Sequence, residues 1–190
     1  MKLEDHAVRS YESRYEKEQK QHAVALRFLE HEARTQTIRA WTGLTDDRIR
    51  RLYSTYLVGT GSPAVRHRGK SPQQAAYFWR TAKVRQEAAW LASLFLLFGL
   101  IKNDAGSPTD RRRVWRPDLN RAELLCQAFD TYHAMVPLAL ISFEHATFLV
   151  NLLARGEQIR FGTCPNCGSL LIKDPLSIRE ARCGQCSRNR

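Results

Sequence analysis

The chain has 190 residues, 43% of them hydrophobic, which is enough for one medium globular domain or for a main domain with a small appendage. Its longest apolar run, WLASLFLLFGLI, has twelve residues, whereas a membrane-spanning helix needs about 20, and the first residues lack the basic-then-apolar pattern of a secretory signal. The composition argues against a membrane or exported protein and predicts a soluble, cytoplasmic one, and the formal net charge of +11 indicates an acidic partner.

The positive charge is concentrated in one part of the chain. Residues 34–90 contain eleven basic and three acidic residues, a net charge of +8, whereas residues 1–33 have a net charge of −1. Such a local excess favours an extended polyanion, and nucleic acid fits better than a membrane surface because no strongly amphipathic basic helix is evident. The alternative is a basic surface without a partner.

The N-terminal segment, residues 3–34, has the pattern of one long and highly charged helix. Its thin apolar stripe recurs in steps of four, at Leu3, Ala7, Tyr11 and Tyr15. A lone helix with so narrow a stripe needs something to pack against. We therefore expect it to pack on the rest of the domain or on a second chain.

The next segment, TQTIRAWTGLTDDRIRRLYSTY, has the pattern of two short helices that meet at Gly43. Thr45 is suited to cap the second helix, and Arg39 occupies a position in the first helix that is usually small. The apolar positions that a helix-turn-helix would bury are Ile38, Leu44, Ile49 and Leu52. The candidates for contacts with guanine edges or phosphates, on the outer faces of the second helix, are Arg48, Arg50 and Arg51. A plain helical hairpin in the core is the alternative.

A loop rich in glycine and proline follows, at residues 57–72. Its basic side chains are further candidates for contacts with DNA, through phosphates, and they are Arg66, Arg68 and Lys70. A flexible basic loop of this kind has no obvious means of reading base edges. We expect these three residues to contribute to affinity without sequence preference.

Three helices are predicted in the middle of the chain. Ser71 and Pro72 have the pattern of an N-cap and first helical residue, which predicts a helix that continues through the long apolar run. Asn120 is a suitable cap for the second helix. The third, SFEHATFLVNLLARG, has Ser142 as its cap and Gly156 just past its end.

Four of the five cysteines form the pattern C-x2-C-x15-C-x2-C, and they are Cys164, Cys167, Cys183 and Cys186. Each close pair lets two sulfurs of one turn face the same point, and the excursion lets the second turn complete a tetrahedron, as in structural zinc sites. Gly168 and Gly184 suit turns that need a positive φ. We therefore predict one structural Zn²⁺ per chain; two disulfides or a redox Cys-x-x-Cys are the alternatives.

Two further expectations concern the surroundings of these cysteines. The stretch GSLLI is predicted to pair with the residues around Ile178 as a small hairpin. The fifth cysteine, Cys126, lies in a predicted helix and is expected to be a buried apolar side chain, without a role as a ligand.

The sequence resembles the FlhC family of flagellar transcriptional activator subunits. The resemblance extends from Ala33 to Cys186 and is carried by TGLTDDRIRRLYSTYLVGTGSP, by the aromatic YFWRT and by the four-cysteine spacing. It implies a mostly helical fold with a C-terminal zinc site. It also implies a hetero-oligomer of four D-type and two C-type chains, formed with an FlhD-type subunit, which binds promoter DNA upstream of flagellar operons and recruits RNA polymerase.

The sequence thus predicts a mainly α protein with two parts. Residues 1–160 form a helical domain that binds DNA and the partner and contains the helix-turn-helix-like segment; residues 161–190 form a ribbon-like zinc-binding module with four cysteine ligands. The predicted function is the DNA-binding subunit of a bacterial transcription activator complex, and not an enzyme, since no phosphate-binding glycine loop, HExxH or GxSxG motif occurs.

Two other functions remain open at this stage. One is a zinc-ribbon accessory protein that binds or processes RNA, and the other is an assembly subunit whose partner makes all the DNA contacts. If residues 35–56 form a core hairpin, the remaining candidates for DNA contact are the basic loop and, on the zinc segment, Lys173, Arg179 and Arg182.

Overall fold

Seven α-helices, a π-helical turn (Tyr53–Val58), a 3-10 turn (Ala75–Trp79) and one two-stranded antiparallel sheet form the regular structure of the part of the chain that the computed structural model describes. That part comprises residues 2–58, 65, 67, 69–102, 115–178 and 181–188, and side chains are described from residue 14 onward, except at 57, 58 and 188. The expected mainly α fold is confirmed. The helices are α1 (Lys2–Glu30), α2 (Thr35–Thr42), α3 (Asp46–Leu52), α4 (Ala82–Leu97), α5 (Leu119–Met135), α6 (Phe143–Arg155) and α7 (Gly184–Arg188); the strands are β1 (Arg160–Thr163) and β2 (Leu170–Lys173).

The chain divides into two compact units. The first comprises residues 1–69 and 117–123, and the second comprises residues 70–116 and 124–190. The second unit includes the whole cysteine segment, and a separate module beginning at residue 161 stays a prediction. No helix in the described ranges is both long and apolar enough to cross a lipid bilayer.

The first unit is built on the C-terminal half of α1. This half buries two adjacent pairs of apolar residues one helical turn apart, Val24 and Ala25 followed by Phe28 and Leu29. The ring of Phe28 lies 5.9 Å from that of Trp41 on α2. The predicted long helix is therefore present and packs on its own domain, whereas further toward its N-terminus Tyr15 is 57% exposed.

The second unit begins with an aromatic 3-10 turn, Ala75–Trp79, followed by α4. The prediction that Ser71 and Pro72 open this helix is wrong. Thr81 is the N-cap, with extended backbone angles and a side chain that accepts a 3.1 Å hydrogen bond from the amide of Val84. Phe78, which belongs to the 3-10 turn, is completely buried, so its ring is part of the core before α4 begins.

The other helix boundaries follow the same capping chemistry. The predicted start of α5 is wrong, because the helix begins at Leu119 and the side chain of Asp118, in place of Asn120, accepts a 2.9 Å bond from the amide of Arg121. The predicted limits of α6 are confirmed: Ser142 is its N-cap, and Gly156 follows its end with a φ of 65°.

The small sheet pairs β1 with β2, with Arg160 opposite Lys173 and Thr163 opposite Leu170. The predicted partner near Ile178 is wrong, since that residue is fully exposed and lies outside any strand. The two strands instead flank the first Cys-x-x-Cys pair. Cys126 is buried on α5, as expected.

Candidate functional site

The side chains of the four spaced cysteines converge on one point in the second unit. All four sulfur atoms lie within 4.8 Å of one another, and the Sγ atoms of Cys167 and Cys183 are 3.6 Å apart. Tetrahedral coordination at the usual metal–sulfur distance places sulfurs about 3.8 Å apart. These four residues are thiols outside any disulfide, so the cluster could hold a metal ion, as its spacing predicts.

A tight turn between the strands holds the first pair of cysteines. The amide of Cys164 donates to the carbonyl of Ser169 at 2.9 Å, and the amide of Gly168 donates to the carbonyl of Cys164 at the same distance. Gly168 adopts the left-handed conformation with a φ of 71°, as predicted. The Oγ of Ser169 lies 3.2 Å from the sulfur of Cys167. Ser169 was not among the residues predicted from the sequence, although its position directly after the glycine of the turn is a usable signal.

The second pair lies at the start of the short helix α7. The amide of Cys183 donates to the sulfur of Cys164 at 3.5 Å, and the amide of Cys186 donates to the sulfur of Cys183 at 3.4 Å. The prediction of a positive φ at Gly184 is wrong. This residue begins α7, and a Cβ there would meet Oε1 of Gln86 at 3.0 Å, so a larger residue would require that glutamine side chain to shift.

Hydrogen bonds separate the acidities of these thiols. The backbone amide of Cys183 lowers the pKa of Cys164 to about 6, and the hydroxyl of Ser169 is the main cause of a lowered pKa at Cys167. The neighbouring sulfur of Cys183 raises the pKa of Cys186 to about 12. Cys164 and Cys167 therefore form thiolates readily, whereas Cys186 resists ionisation beside the other sulfurs. A bound cation removes this resistance by neutralising the negative charge.

The second candidate site is the pair of helices α2 and α3 in the first unit. Gly43 ends α2 with a φ of 74°, and Thr45 caps α3 through a hydrogen bond from the amide of Arg48 at 3.4 Å. The four apolar positions predicted to face inward are all buried, and they are Ile38, Leu44, Ile49 and Leu52. The two helices and the turn therefore bury the predicted apolar residues.

The candidate arginines of α3 lie on its exposed side. Arg48, Arg50 and Arg51 are all exposed, and Nη1 of Arg50 is 3.0 Å from a carboxylate oxygen of Asp47. Arg39 does not separate the two helices, because its side chain is exposed and reaches Asp46 at 3.4 Å. The helix pair thus tolerates a large residue at that position.

The remaining candidates come from the basic loop. Lys70 is exposed, whereas Arg66 and Arg68 lie outside the described residues. The structure therefore brings three of the six DNA-contact candidates together on one helix. Comparison of the chain with protein-family models gives no match, and comparison with curated proteins gives none.

Proposed function

We propose that this protein is a DNA-binding subunit of a bacterial transcription activator complex, and not an enzyme. The observation that carries the proposal is the exposure of Arg48, Arg50 and Arg51 on a short helix that is capped at its start and anchored by buried Ile49 and Leu52. An exposed helix held in this way can enter a major groove and present guanidinium groups to base edges or phosphates. The net charge of +8 in residues 34–90 supports a polyanionic target.

We further propose that the metal of the four-cysteine cluster is Zn²⁺ and that its role is structural. Four thiolates are a common ligand set of structural zinc, and they leave no open position for a substrate. Few apolar side chains are buried beyond β2, so the final segment has little core of its own. A metal that joins its two ends would supply the missing stability.

The resemblance to the FlhC family supplies the partners in this proposal. They are promoter DNA of flagellar operons, RNA polymerase and an FlhD-type subunit in a cytoplasmic complex of four D-type and two C-type chains. Residues 14–17 of α1 are exposed, and they offer a helix surface that a second chain could cover. Co-expression with an FlhD-type subunit should yield a complex of fixed stoichiometry in size-exclusion chromatography with light scattering. Separate elution of the two chains would contradict this part of the proposal.

Binding competition tests the main proposal. The purified complex is footprinted on the genome, and the selected duplex is then competed with a scrambled duplex and with structured RNA of the same length. The proposal expects the selected duplex to compete best. Stronger competition by RNA would favour an RNA-binding accessory protein. Equal binding by the partner alone would make this chain an assembly subunit.

A further inference from the structure

A cleft in the second unit lies between α4 and the cysteine segment, and it borders the four-cysteine cluster at Cys183. It has a volume of about 930 Å³, and one wall is formed by α4 and the other by β2 and residues 181–185. Cavities of several hundred cubic ångströms are typical of small-molecule sites. The cleft is therefore large enough to enclose a ligand of the size of a nucleotide.

The packing of β2 against α4 forms one side of this cleft. Leu171 and Ile172 of β2 are buried, and Gly184 allows α7 to approach the side chain of Gln86. Between these contacts α4 presents two small residues to the cleft, Ala82 and Ala89. The cleft is thus lined by α4 and β2 together with loop residues of the cysteine segment, and it is partly open to solvent.

Basic side chains enter the cleft from both walls. Arg85 belongs to α4, Lys173 ends β2, and Arg182 precedes the second cysteine pair. None of the three has an ion-pair partner within the described ranges. The acidic residue of the lining, Asp174, already accepts a 2.8 Å bond from the amide of Leu176. The Arg, Lys and Asp side chains of the lining therefore carry three positive charges against one negative charge, which favours an anionic ligand.

Two indole rings complete the lining. Trp90 is 43% exposed although it lies within α4, and Trp79 is partly exposed at the entrance to that helix. Neither ring stacks on another aromatic side chain among the residues that the structure describes. Exposed indoles beside cations are the combination that holds a flat base together with its phosphate, because the base stacks and the phosphate takes charged hydrogen bonds.

We propose that this cleft binds a nucleotide, with the base against Trp90 and the phosphate near Arg85, Lys173 and Arg182. The nucleotide is either a free mononucleotide or one unit of a single strand, since both present the same base and phosphate. The site involves none of the α3 arginines, so it stands apart from the proposed function.

Isothermal titration of the full-length protein tests the proposal with five probes: AMP, adenosine, inorganic phosphate, a six-residue thymidine strand and a hexaglutamate peptide. AMP or the strand should saturate the protein and bind at least about tenfold more tightly than adenosine or phosphate alone, because only the nucleotide uses both the indole and the cations. Much tighter binding of the strand would identify a single strand as the ligand, and similar affinities would identify a mononucleotide. Either result supports a cleft that recognises a base together with its phosphate.

Matched variants localise the binding. Trp90→Leu should weaken nucleotide binding roughly five- to 150-fold, the range expected for loss of one base stack, whereas Trp90→Phe should retain most of the affinity. Arg85→Gln should weaken it about tenfold. Lys102→Gln removes an exposed cation of the same unit that does not line the cleft, and should leave affinity unchanged.

Three results would overturn the proposal. The first is the absence of saturable binding by AMP and by the strand. The second is wild-type nucleotide affinity in both Trp90→Leu and Arg85→Gln, which would place binding elsewhere on this basic chain. The third is binding of hexaglutamate as tightly as the nucleotides, which would make the cleft a docking site for an acidic protein segment.

Discussion

The hydroxyl of Tyr132 on α5 donates a 2.5 Å hydrogen bond to Oε2 of Glu87 on α4. Glu87 is only 1% exposed, and the same oxygen accepts a 2.8 Å bond from the backbone amide of Leu140. The ammonium group of Lys83 is 3.8 Å from its other carboxylate oxygen. These bonds tie the loop between α5 and α6 to α4, and the buried carboxylate depends on each of its donors.

Replacement of Tyr132 by Phe should lower the free energy of unfolding by about 1.5–3 kcal/mol, because it removes a donor to a buried carboxylate and keeps the ring. Chemical denaturation measures the change. Tyr15→Phe is a matched control because Tyr15 is 57% exposed, and its effect should stay within about 0.5 kcal/mol. Equal effects at the two positions would mean that the bond to Glu87 contributes no net stability.

The same tyrosine predicts a dependence of stability on alkaline pH. Burial and the hydrogen bond to Glu87 raise the pKa of Tyr132 above its ordinary value of 10.0. A folded-state pKa above the unfolded value means that the stabilisation is complete below about pH 10 and declines above it, since the unfolded chain then loses its proton more readily. Denaturation midpoints measured in steps from pH 8 upward should fall less steeply in Tyr132→Phe than in the wild type. Parallel curves would contradict the assignment.

Features encoded by neighbouring residues could be predicted from the sequence. The cap at Thr45, the limits of α6 and the convergence of the four cysteines each depend on short spacings. The start of α4 could not be predicted in this way, because Ser71 followed by Pro72 has as good a local pattern as Thr81. The burial of Phe78 in a 3-10 turn decides between them, and burial is a tertiary property.

The polar core and the cleft depend on residues that are distant in sequence. Glu87 resembles any surface charge of an amphipathic helix until Tyr132 and the amide of Leu140 are brought to it. Trp90 begins the longest apolar run of the chain, yet it remains 43% exposed beside the cysteine segment. Neither arrangement has a signature in local periodicity, because each is defined by which elements face each other.

The N-cap of α3 should make a measurable contribution to stability. Thr45→Ala removes the acceptor for the amide of Arg48 and should cost about 1 kcal/mol of unfolding free energy. Thr45→Ser keeps a hydroxyl acceptor and should recover most of the loss. Denaturant titration compares the two variants. An alanine variant as stable as the serine variant would show that the helix start is held by packing alone.

Metal content should depend on each of the four clustered cysteines. The wild-type protein is expected to contain about one zinc ion per chain by elemental analysis, and Cys183→Ser should lose it, because three thiolates and a hydroxyl no longer match the closed site. Apparent binding energies of structural zinc are on the order of 10 kcal/mol, so a chelator should also expose the final segment to proteolysis.

The fifth cysteine provides the matched control for this experiment. Cys126→Ser should retain full metal content, because Cys126 is buried on α5 and does not belong to the cluster. Its thermal stability should fall to some extent, since a hydroxyl is less suited to an apolar core. Full zinc content in Cys183→Ser would contradict the four-sulfur site.

The arginines of α3 should differ in their effects on DNA binding. Arg50 is 3.0 Å from Asp47, whereas Arg48 and Arg51 have no ion-pair partner among the described residues and can turn toward a ligand. Loss of a bidentate guanine contact costs about 1–3 kcal/mol and relaxes preference at one base position. We therefore expect larger losses in Arg48→Ala and Arg51→Ala than in Arg50→Ala, measured by fluorescence anisotropy on the selected duplex.

The basic loop should behave differently from the helix in the same assay. Alanine at Lys70, Arg66 or Arg68 should weaken selected and scrambled duplexes alike and reduce the salt slope by about one phosphate contact, because phosphate contacts have no sequence preference. Arg39→Ala is a control from α2, since that exposed side chain is paired with Asp46. Unchanged affinity and preference after combined substitution of Arg48, Arg50 and Arg51 would identify α2 and α3 as a structural hairpin. The remaining candidates for DNA contact would then be the basic loop and, on the zinc segment, Lys173, Arg179 and Arg182.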